Sequence, residues 1–190
     1  VEDASHSPGA STPDEQEGTI SSCSGTHALA STLSFHPVKH ICAGEGGAVL
    51  TNDLHVAQKA LRLRSHGINR PFTETDEMPW YYEQESLGWN YRLTDLQATL
   101  GLSQLSRLDD FLAKRRKLAR RYDQRLSESP FQEHINCPPF EEGHAWHLYI
   151  IRFKDESLRN LAYKYLKSKN ILTQVHYIPV YKHPYYQKQN

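Results

Sequence analysis

The sequence has little of several features that would assign a protein to a class at once. It contains only three cysteines, Cys23, Cys42 and Cys137, an odd and widely spaced set that fits neither a disulfide framework nor a zinc site. No apolar run approaches the roughly 20 residues that a membrane-spanning helix needs. The first ten residues, VEDASHSPGA, lack the basic and then apolar pattern of a signal peptide. We therefore expect a cytoplasmic protein that has no membrane partner.

An excess of charge of one sign is also missing. Lysine plus arginine and aspartate plus glutamate both number 22, so no net charge attracts nucleic acid. The basic run KRRKLARR lies near Asp109, Asp110 and Asp123, and we interpret it as a solvated helix face rather than a nucleic-acid site. The eleven histidines show no HExxH-like spacing, so no metal site is predicted.

Methionine is scarce too, since it occurs once and not at residue 1. The chain also stops at QKQN, directly after a strand-like segment. We therefore expect a fragment of a longer protein.

The hydrophobic pattern is that of strands alternating with helices, which predicts an α/β fold. Strands are predicted at 30–38, 46–53, 146–153 and 171–180, and helices at 54–64 and 157–170. A capping box of Thr94 and Gln97 begins a further helix that is expected to continue to Leu126. Residues 11–27 are predicted to be loop with one short strand, and 68–86 a long functional loop.

The segment SFHPVKHICAGEGG (34–47) carries the candidate chemistry. Lys39 follows a predicted strand and precedes a glycine-rich turn, which places its amine at a sheet edge, where α/β folds bind ligands. From spacing alone, Lys39 is more commonly explained as a surface lysine beside a turn than as a ligand-binding residue. A pyridoxal phosphate site needs a carboxylate for the pyridine nitrogen, which Asp3 could supply, and a hydrogen-bond donor to the phenolic oxygen, which His6 could supply. Ser34 could supply a hydroxyl that binds the phosphate. Taken alone, this D-x-x-H pair is more often a turn with a solvated histidine.

Four segments together resemble the DegT-type sugar aminotransferases, a branch of the fold-type I pyridoxal phosphate enzymes. They are EDASHSPGA, SFHPVKHICAGEGGAVLTND, LRSHGINR and the stretch from LGWNYRLTD to DQRL. The resemblance covers nearly the whole chain. It implies that residues 1–128 are the C-terminal part of a cofactor-binding large domain with a mixed, mostly parallel sheet and a long linking helix. Residues 129–190 would form an incomplete α/β small domain.

The same resemblance implies the roles of individual residues toward pyridoxal phosphate. Asp3 pairs with its pyridine nitrogen, and His6 contacts its phenolic oxygen. Ser34 binds its phosphate, and Lys39 forms the Schiff base. Asn90 reaches the cofactor phosphate of a neighbouring subunit, which implies a homodimer. Capping of the following helix is an equally open explanation for Asn90.

Two further segments, MPWYYEQESLG and VHYIPVY, are similar to family members of the pseudaminic acid pathway. The resemblance implies that His176, Tyr177 and Pro179 contact the sugar nucleotide, although a core strand is the commoner reading of such a pattern. The expected reaction transfers an amine from glutamate to a UDP-linked 4-keto-6-deoxy-N-acetylhexosamine. The alternative is a truncated remnant of the same family, without catalysis, that serves as a ligand-binding or dimerisation scaffold.

Overall fold

Two compact units make up the chain in the computed structural model, which describes residues 1–15, 18–70, 77–128, 130 and 132–189. The first unit contains residues 1–123 and 139–149, and the second contains residues 124–138 and 150–190. The strands are β1 (Glu2–Asp3), β2 (Ser11–Asp14), β3 (Gly18–Ser21), β4 (Ser31–Ser34), β5 (Gly47–Leu50), β6 (Ile68–Asn69), β7 (Glu83–Gln84), β8 (Ile135–Asn136) and β9 (Arg152–Phe153). The helices are α1 (Leu54–Arg64), α2 (Asp95–Leu105), α3 (Leu108–Ser127), α4 (Glu156–Ser168) and α5 (Pro184–Gln187), with a 3-10 turn at Val180–Lys182.

A three-stranded mixed sheet lies in the first unit. β1 pairs in parallel with β4, and β4 pairs antiparallel with β5. Ser31 is fully buried, and its Oγ donates to Glu2 Oε2 at 2.6 Å. Because successive side chains of a strand point to opposite faces, this bond holds Glu2 on one face of the sheet and leaves Asp3 on the other.

The helix predicted at 54–64 is confirmed as α1. Asp53 caps it, since its Oδ1 accepts a hydrogen bond from Val56 N at 2.9 Å, and such a cap satisfies one of the free donors of the first turn. Arg62 and Arg64 lie in the last turn, where positive charge favours the helix dipole.

The capping box at the start of α2 is also confirmed. Thr94 Oγ1 accepts from Gln97 N at 3.3 Å, and Gln97 Oε1 accepts from Thr94 N at 3.1 Å. The prediction of one helix to Leu126 is wrong, because α2 ends at Leu105 and α3 begins at Leu108. Arg107 N donates a hydrogen bond to Gln104 O at 3.1 Å. This bond spans three residues instead of four, and the tighter turn ends the α-helical pattern.

The two strand predictions before residue 54 hold, whereas the two after residue 145 largely fail. β4 and β5 lie within the segments predicted as strands, although β4 stops at Ser34, and β2 and β3 form a hairpin in the region predicted as mostly loop. In the predicted loop at 68–86, β6 pairs with β7, and residues 71–76 lie outside the described residues. The strand predicted at 146–153 is wrong except for β9, and the described residues 171–180 contain no strand.

Helix α3 packs its buried side on the loop that follows β1. Leu112 is 2% exposed and Ala119 is 3% exposed. A Cβ at Gly9 would collide with the Leu112 side chain, and Gly9 has a φ of 73°, which favours glycine. Within the described ranges, the first unit also buries Ala4, Ile20, Ala30, Ile41, Ala43, Ala145 and Trp146. Within the described ranges, no helix has the length and apolar character to cross a membrane.

Candidate functional site

Asp3 and Lys39 lie at the same edge of the sheet. Asp3 is the last residue of β1, and Lys39 lies in the loop that follows β4. The carboxyl ends of two parallel strands meet at one edge, where α/β folds bind ligands. The loop is closed by Phe35 N, which donates to Gly46 O at 2.9 Å, and the Lys39 amide donates to His36 O at 2.9 Å. Lys39 is half-buried, and Asp3 is exposed.

The Asp3 carboxylate is held in its ionised form. Its Oδ1 accepts hydrogen bonds from Ser5 Oγ at 2.6 Å and from Ser5 N at 3.0 Å. These bonds lower the pKa of Asp3, and the positive charges of His6 and Lys39 lower it further. An ionised, exposed carboxylate at this edge is suited to bind a group that carries a proton on nitrogen.

His6 and Ser34 lie close to this edge as well. His6 comes three residues after Asp3 and is exposed. Asp3 is paired with Thr32, so Ser34 is two residues further along β4 toward the edge. Ser34 Oγ accepts from His36 N at 3.4 Å. Its hydroxyl proton has no acceptor among the described residues, so it is available for an anion.

Asn90 is positioned by its backbone rather than by helix α2. It forms a β-bridge with Ser65 and is exposed. Thr94 supplies the cap of α2, so Asn90 is not the capping residue. In the described part of the chain, its side chain forms no hydrogen bond, and its amide is free to meet a ligand or another chain.

The three residues predicted to contact sugar lie in the second unit. The rings of His176 and Tyr177 are 3.9 Å apart at 89°, and Tyr177 is 71% exposed. His176 Nδ1 is buried and has no hydrogen-bond partner among the described residues. Pro179 directly precedes the 3-10 turn at Val180–Lys182.

Three residues near Lys39 and His6 were not predicted from the sequence: His40, His147 and Arg115. His40 is buried, and its Nε2 donates to Ala145 O at 2.9 Å. Burial lowers the pKa of His40. Burial, followed by the charges of His6, His40, Lys39 and Arg115, lowers the pKa of His147 to about 4. No sequence signal marked these residues, because the segment around His147 reads as a strand and Arg115 belongs to a basic helix face.

A basic cleft of about 760 Å³ lies next to Asn90. Its lining consists of Gln58, Leu61, Arg62, Ser65, Ile68, Asn69, Arg70 and Arg92. Arg62 is paired with Glu85 at 2.6 Å, whereas Arg70 and Arg92 form no ion pair within the described ranges. Guanidinium groups bind carboxylates and phosphates, so the cleft is suited to an anion.

The sequence matches the DegT/DnrJ/EryC1/StrS aminotransferase family over residues 1–190. The spore coat polysaccharide biosynthesis protein SpsC of Bacillus subtilis is 40% identical over 169 residues, which cover 84% of this chain and 42% of that protein. The UDP-4-amino-4,6-dideoxy-N-acetyl-beta-L-altrosamine transaminase of Campylobacter jejuni is 35% identical over 190 residues, which cover 99% of this chain and 47% of that protein. The chain thus spans about half the length of the curated relatives it matches.

Solved structures of aminotransferases share the fold of this chain. Helicobacter pylori PseC, an aminotransferase involved in the biosynthesis of pseudoaminic acid, superimposes with a TM-score of 0.81 and 34% identity over 98% of this chain and 47% of that chain. The PMP form of a putative sugar aminotransferase from Streptococcus pneumoniae gives a TM-score of 0.82 and 25% identity over the same shares.

Proposed function

The chain belongs to the DegT/DnrJ/EryC1/StrS aminotransferase family, whose cofactor is pyridoxal phosphate, and from this membership we propose that it carries the lysine-bearing half of a nucleotide-sugar transaminase. The observation that carries the proposal is the shared sheet edge of Asp3 and Lys39, where the charge of Lys39 contributes to the low pKa of Asp3. Because the chain spans about half the length of its relatives, the activity is proposed for the whole protein.

The residues at this edge fit the cofactor by their chemistry. Asp3 would keep the pyridine nitrogen protonated, and His6 would donate to the phenolic oxygen. Ser34 would donate to the phosphate, and Lys39 Nζ would form the covalent attachment. When bound, pyridoxal phosphate supplies an electron sink for the carbon that carries the transferred amine.

Lys39 also performs the proton transfers in this proposal. Its Nζ takes a proton from the amine-bearing carbon of the donor amino acid, which we propose to be glutamate. In the second half-reaction the same atom returns a proton to C4 of the sugar, as the 4-amino product forms. One lysine therefore serves both half-reactions, while Asp3 remains ionised throughout.

The proposed acceptor is a UDP-linked 4-keto-6-deoxy-N-acetylhexosamine. The name of the Campylobacter jejuni relative supports this choice. His176, Tyr177 and Pro179 would contact the sugar nucleotide.

The proposal includes a cytoplasmic homodimer. Asn90 would reach the cofactor phosphate of the partner subunit, and two sites would share one interface. Residues 1–128 would then belong to the large domain and residues 129–190 to the small domain.

Transfer of isotopic nitrogen tests the proposal. The protein is incubated with pyridoxal phosphate, 15N-glutamate and the UDP-linked 4-keto sugar, and the product is examined by mass spectrometry. We expect 15N in a 4-amino sugar nucleotide, no transfer by Lys39→Arg, and normal transfer by Lys59→Arg, an exposed lysine of α1. Cofactor binding without transfer would instead support the ligand-binding remnant, and neither binding nor transfer would support a dimerisation scaffold.

A further inference from the structure

The ring of His147 lies close to two other histidine rings from separate parts of the first unit. His6 follows β1, His40 is next to Lys39, and His147 belongs to the segment 139–149. The ring centroids of His6 and His147 are 4.2 Å apart, and their planes are tilted by 49°. Those of His40 and His147 are 5.2 Å apart and tilted by 48°. His147 therefore packs on the ring that is proposed to touch the cofactor.

The backbone at His147 is fixed by a charged donor. Arg115 Nη1 donates to the carbonyl oxygens of Trp146 and His147, both at 3.1 Å, and hydrogen bonds from charged groups are stronger than neutral ones. Trp146 is buried with a φ of 48°, and its indole Nε1 donates to Glu141 O at 3.2 Å. Because these side-chain hydrogen bonds hold the backbone from Glu141 to His147, the ring of His147 is kept next to His6.

A second arginine attaches the same segment to the loop that carries His6. Arg116 Nη2 donates to Gly9 O at 3.2 Å, and its Nε donates to His144 O at 3.3 Å. Gly9 comes three residues after His6, and His144 comes three residues before His147. Helix α3 thus holds both backbones, and the separation of the two rings is a property of the folded unit.

His147 is uncharged at neutral pH. Burial is the main reason why its pKa falls to about 4, and the charges of His6, His40, Lys39 and Arg115 add to the effect. An uncharged ring packs against an imidazole without the repulsion between two positive charges. Its Nδ1 is buried without a hydrogen-bond partner among the described residues, so that atom does not fix the ring.

We infer that His147 is a positioning residue: packing of its ring against His6 sets the orientation in which the His6 imidazole meets the phenolic oxygen of the cofactor. This inference rests on the proposed function, from which it takes the role of His6. Leucine at position 147 removes the aromatic face, whereas phenylalanine keeps the face and removes the ring nitrogens. The variants His147→Leu and His147→Phe therefore separate ring packing from ring chemistry.

The first test observes His6 in the chain without cofactor. Histidines are labelled with 13C and 15N, and the His6 signals are assigned from His6→Gln. We expect His147→Leu to shift the His6 ring protons, because they lose the ring current of their neighbour, and His147→Phe to retain a ring-current shift. His55→Leu, at an exposed position of α1, should leave the signals in place. Unchanged His6 signals in His147→Leu, or loss of the ring-current shift in His147→Phe, would overturn the inference.

The second test measures the dissociation constant of pyridoxal phosphate by equilibrium dialysis. We expect His147→Leu to weaken binding roughly 2- to 10-fold, the range for an aromatic pair, and His147→Phe to bind within about 2-fold of the parent chain on the same basis. In a chain that carries His6→Ala, His147→Leu should cause no further loss, because it acts through His6. Additive losses would indicate an independent structural role and would contradict the inference.

Folding is checked by circular dichroism before either test. If His147→Leu does not fold, His147→Gln replaces it, since glutamine also lacks an aromatic ring. If the whole protein with an unchanged His147 binds no pyridoxal phosphate, the proposed function is refuted. The magnetic resonance comparison then still decides whether the ring of His147 packs on His6.

Discussion

One oxygen of Asp3 accepts two hydrogen bonds from Ser5, at 2.6 Å from Oγ and at 3.0 Å from the backbone amide. The two bonds form within three consecutive residues at the end of β1, so the local turn is sufficient to make them. They are the largest causes of the low pKa of Asp3. The loop that carries the carboxylate proposed to face the pyridine nitrogen therefore stabilises the ionised form of that carboxylate.

Ser5→Ala should raise the pKa of Asp3 toward its ordinary value, because the variant loses the hydroxyl donor and keeps only the amide. The measurement is a pH titration of the Asp3 carboxyl carbon by 13C magnetic resonance. Ser106→Ala, which removes a hydroxyl bonded to Ser103 O, should leave that titration unchanged. A titration of Asp3 that is identical in Ser5→Ala and in the parent chain would show that the hydroxyl does not stabilise the carboxylate.

The local elements of the fold could be predicted where neighbouring residues decide the structure. Helix α1 lies at the predicted bounds, since its periodicity, its Asp53 cap and its basic last turn all agree. The capping box at Thr94 could also be predicted, because it depends only on Thr94 and Gln97, three residues apart. The break after α2 could not be predicted, because Ser106 and Arg107 are ordinary helix residues. There, Ser106 Oγ and Arg107 Nε both donate to Ser103 O at 3.1 Å.

Contacts between distant residues explain the other errors. The apolar run at 146–153 has strand composition, but the carbonyls of Trp146 and His147 accept from Arg115 instead of from a neighbouring strand. The basic run on α3 reads as a solvated face, and that interpretation is wrong for Arg115 and Arg116, which bind carbonyl oxygens. The same long-range bonds bring His147 to His6, which no spacing in the sequence indicates.

Stability should rise with pH between about 4 and 6.5, owing to His147. Its pKa is about 4 in the folded chain and 6.5 in the unfolded chain, so between these values only the unfolded state binds the proton. The free energy of unfolding is therefore highest, with respect to His147, above pH 6.5, and it decreases as the pH falls toward 4. His40, whose pKa burial also lowers, acts in the same direction.

Urea denaturation at several pH values checks this expectation. His147→Phe should show a smaller change of unfolding free energy between pH 6.5 and pH 4 than the parent chain does. His55→Phe, a control on the exposed side of α1, should match the parent chain. An equal pH dependence for His147→Phe and the parent chain would mean that His147 is protonated alike in both states.

Leu112→Ala should destabilise the first unit by about 2–5 kcal/mol, the usual cost of truncating a buried leucine. Leu112 is 2% exposed and packs beside Gly9, whereas Leu118 on the same helix is 54% exposed. Leu118→Ala should therefore change the free energy of unfolding by less than about 0.5 kcal/mol. Urea denaturation followed by circular dichroism measures both. Equal losses in the two variants would contradict the packing of α3 on the loop after β1.

Borohydride trapping tests the role of Lys39 most directly. The protein is incubated with pyridoxal phosphate, reduced with borohydride and digested, and the peptides are examined by mass spectrometry. We expect the reduced pyridoxyl phosphate group on the peptide that contains Lys39, and no such label on that peptide in Lys39→Arg. A label of equal strength on exposed lysines such as Lys59, or a label that persists at full strength in Lys39→Arg, would contradict the assignment.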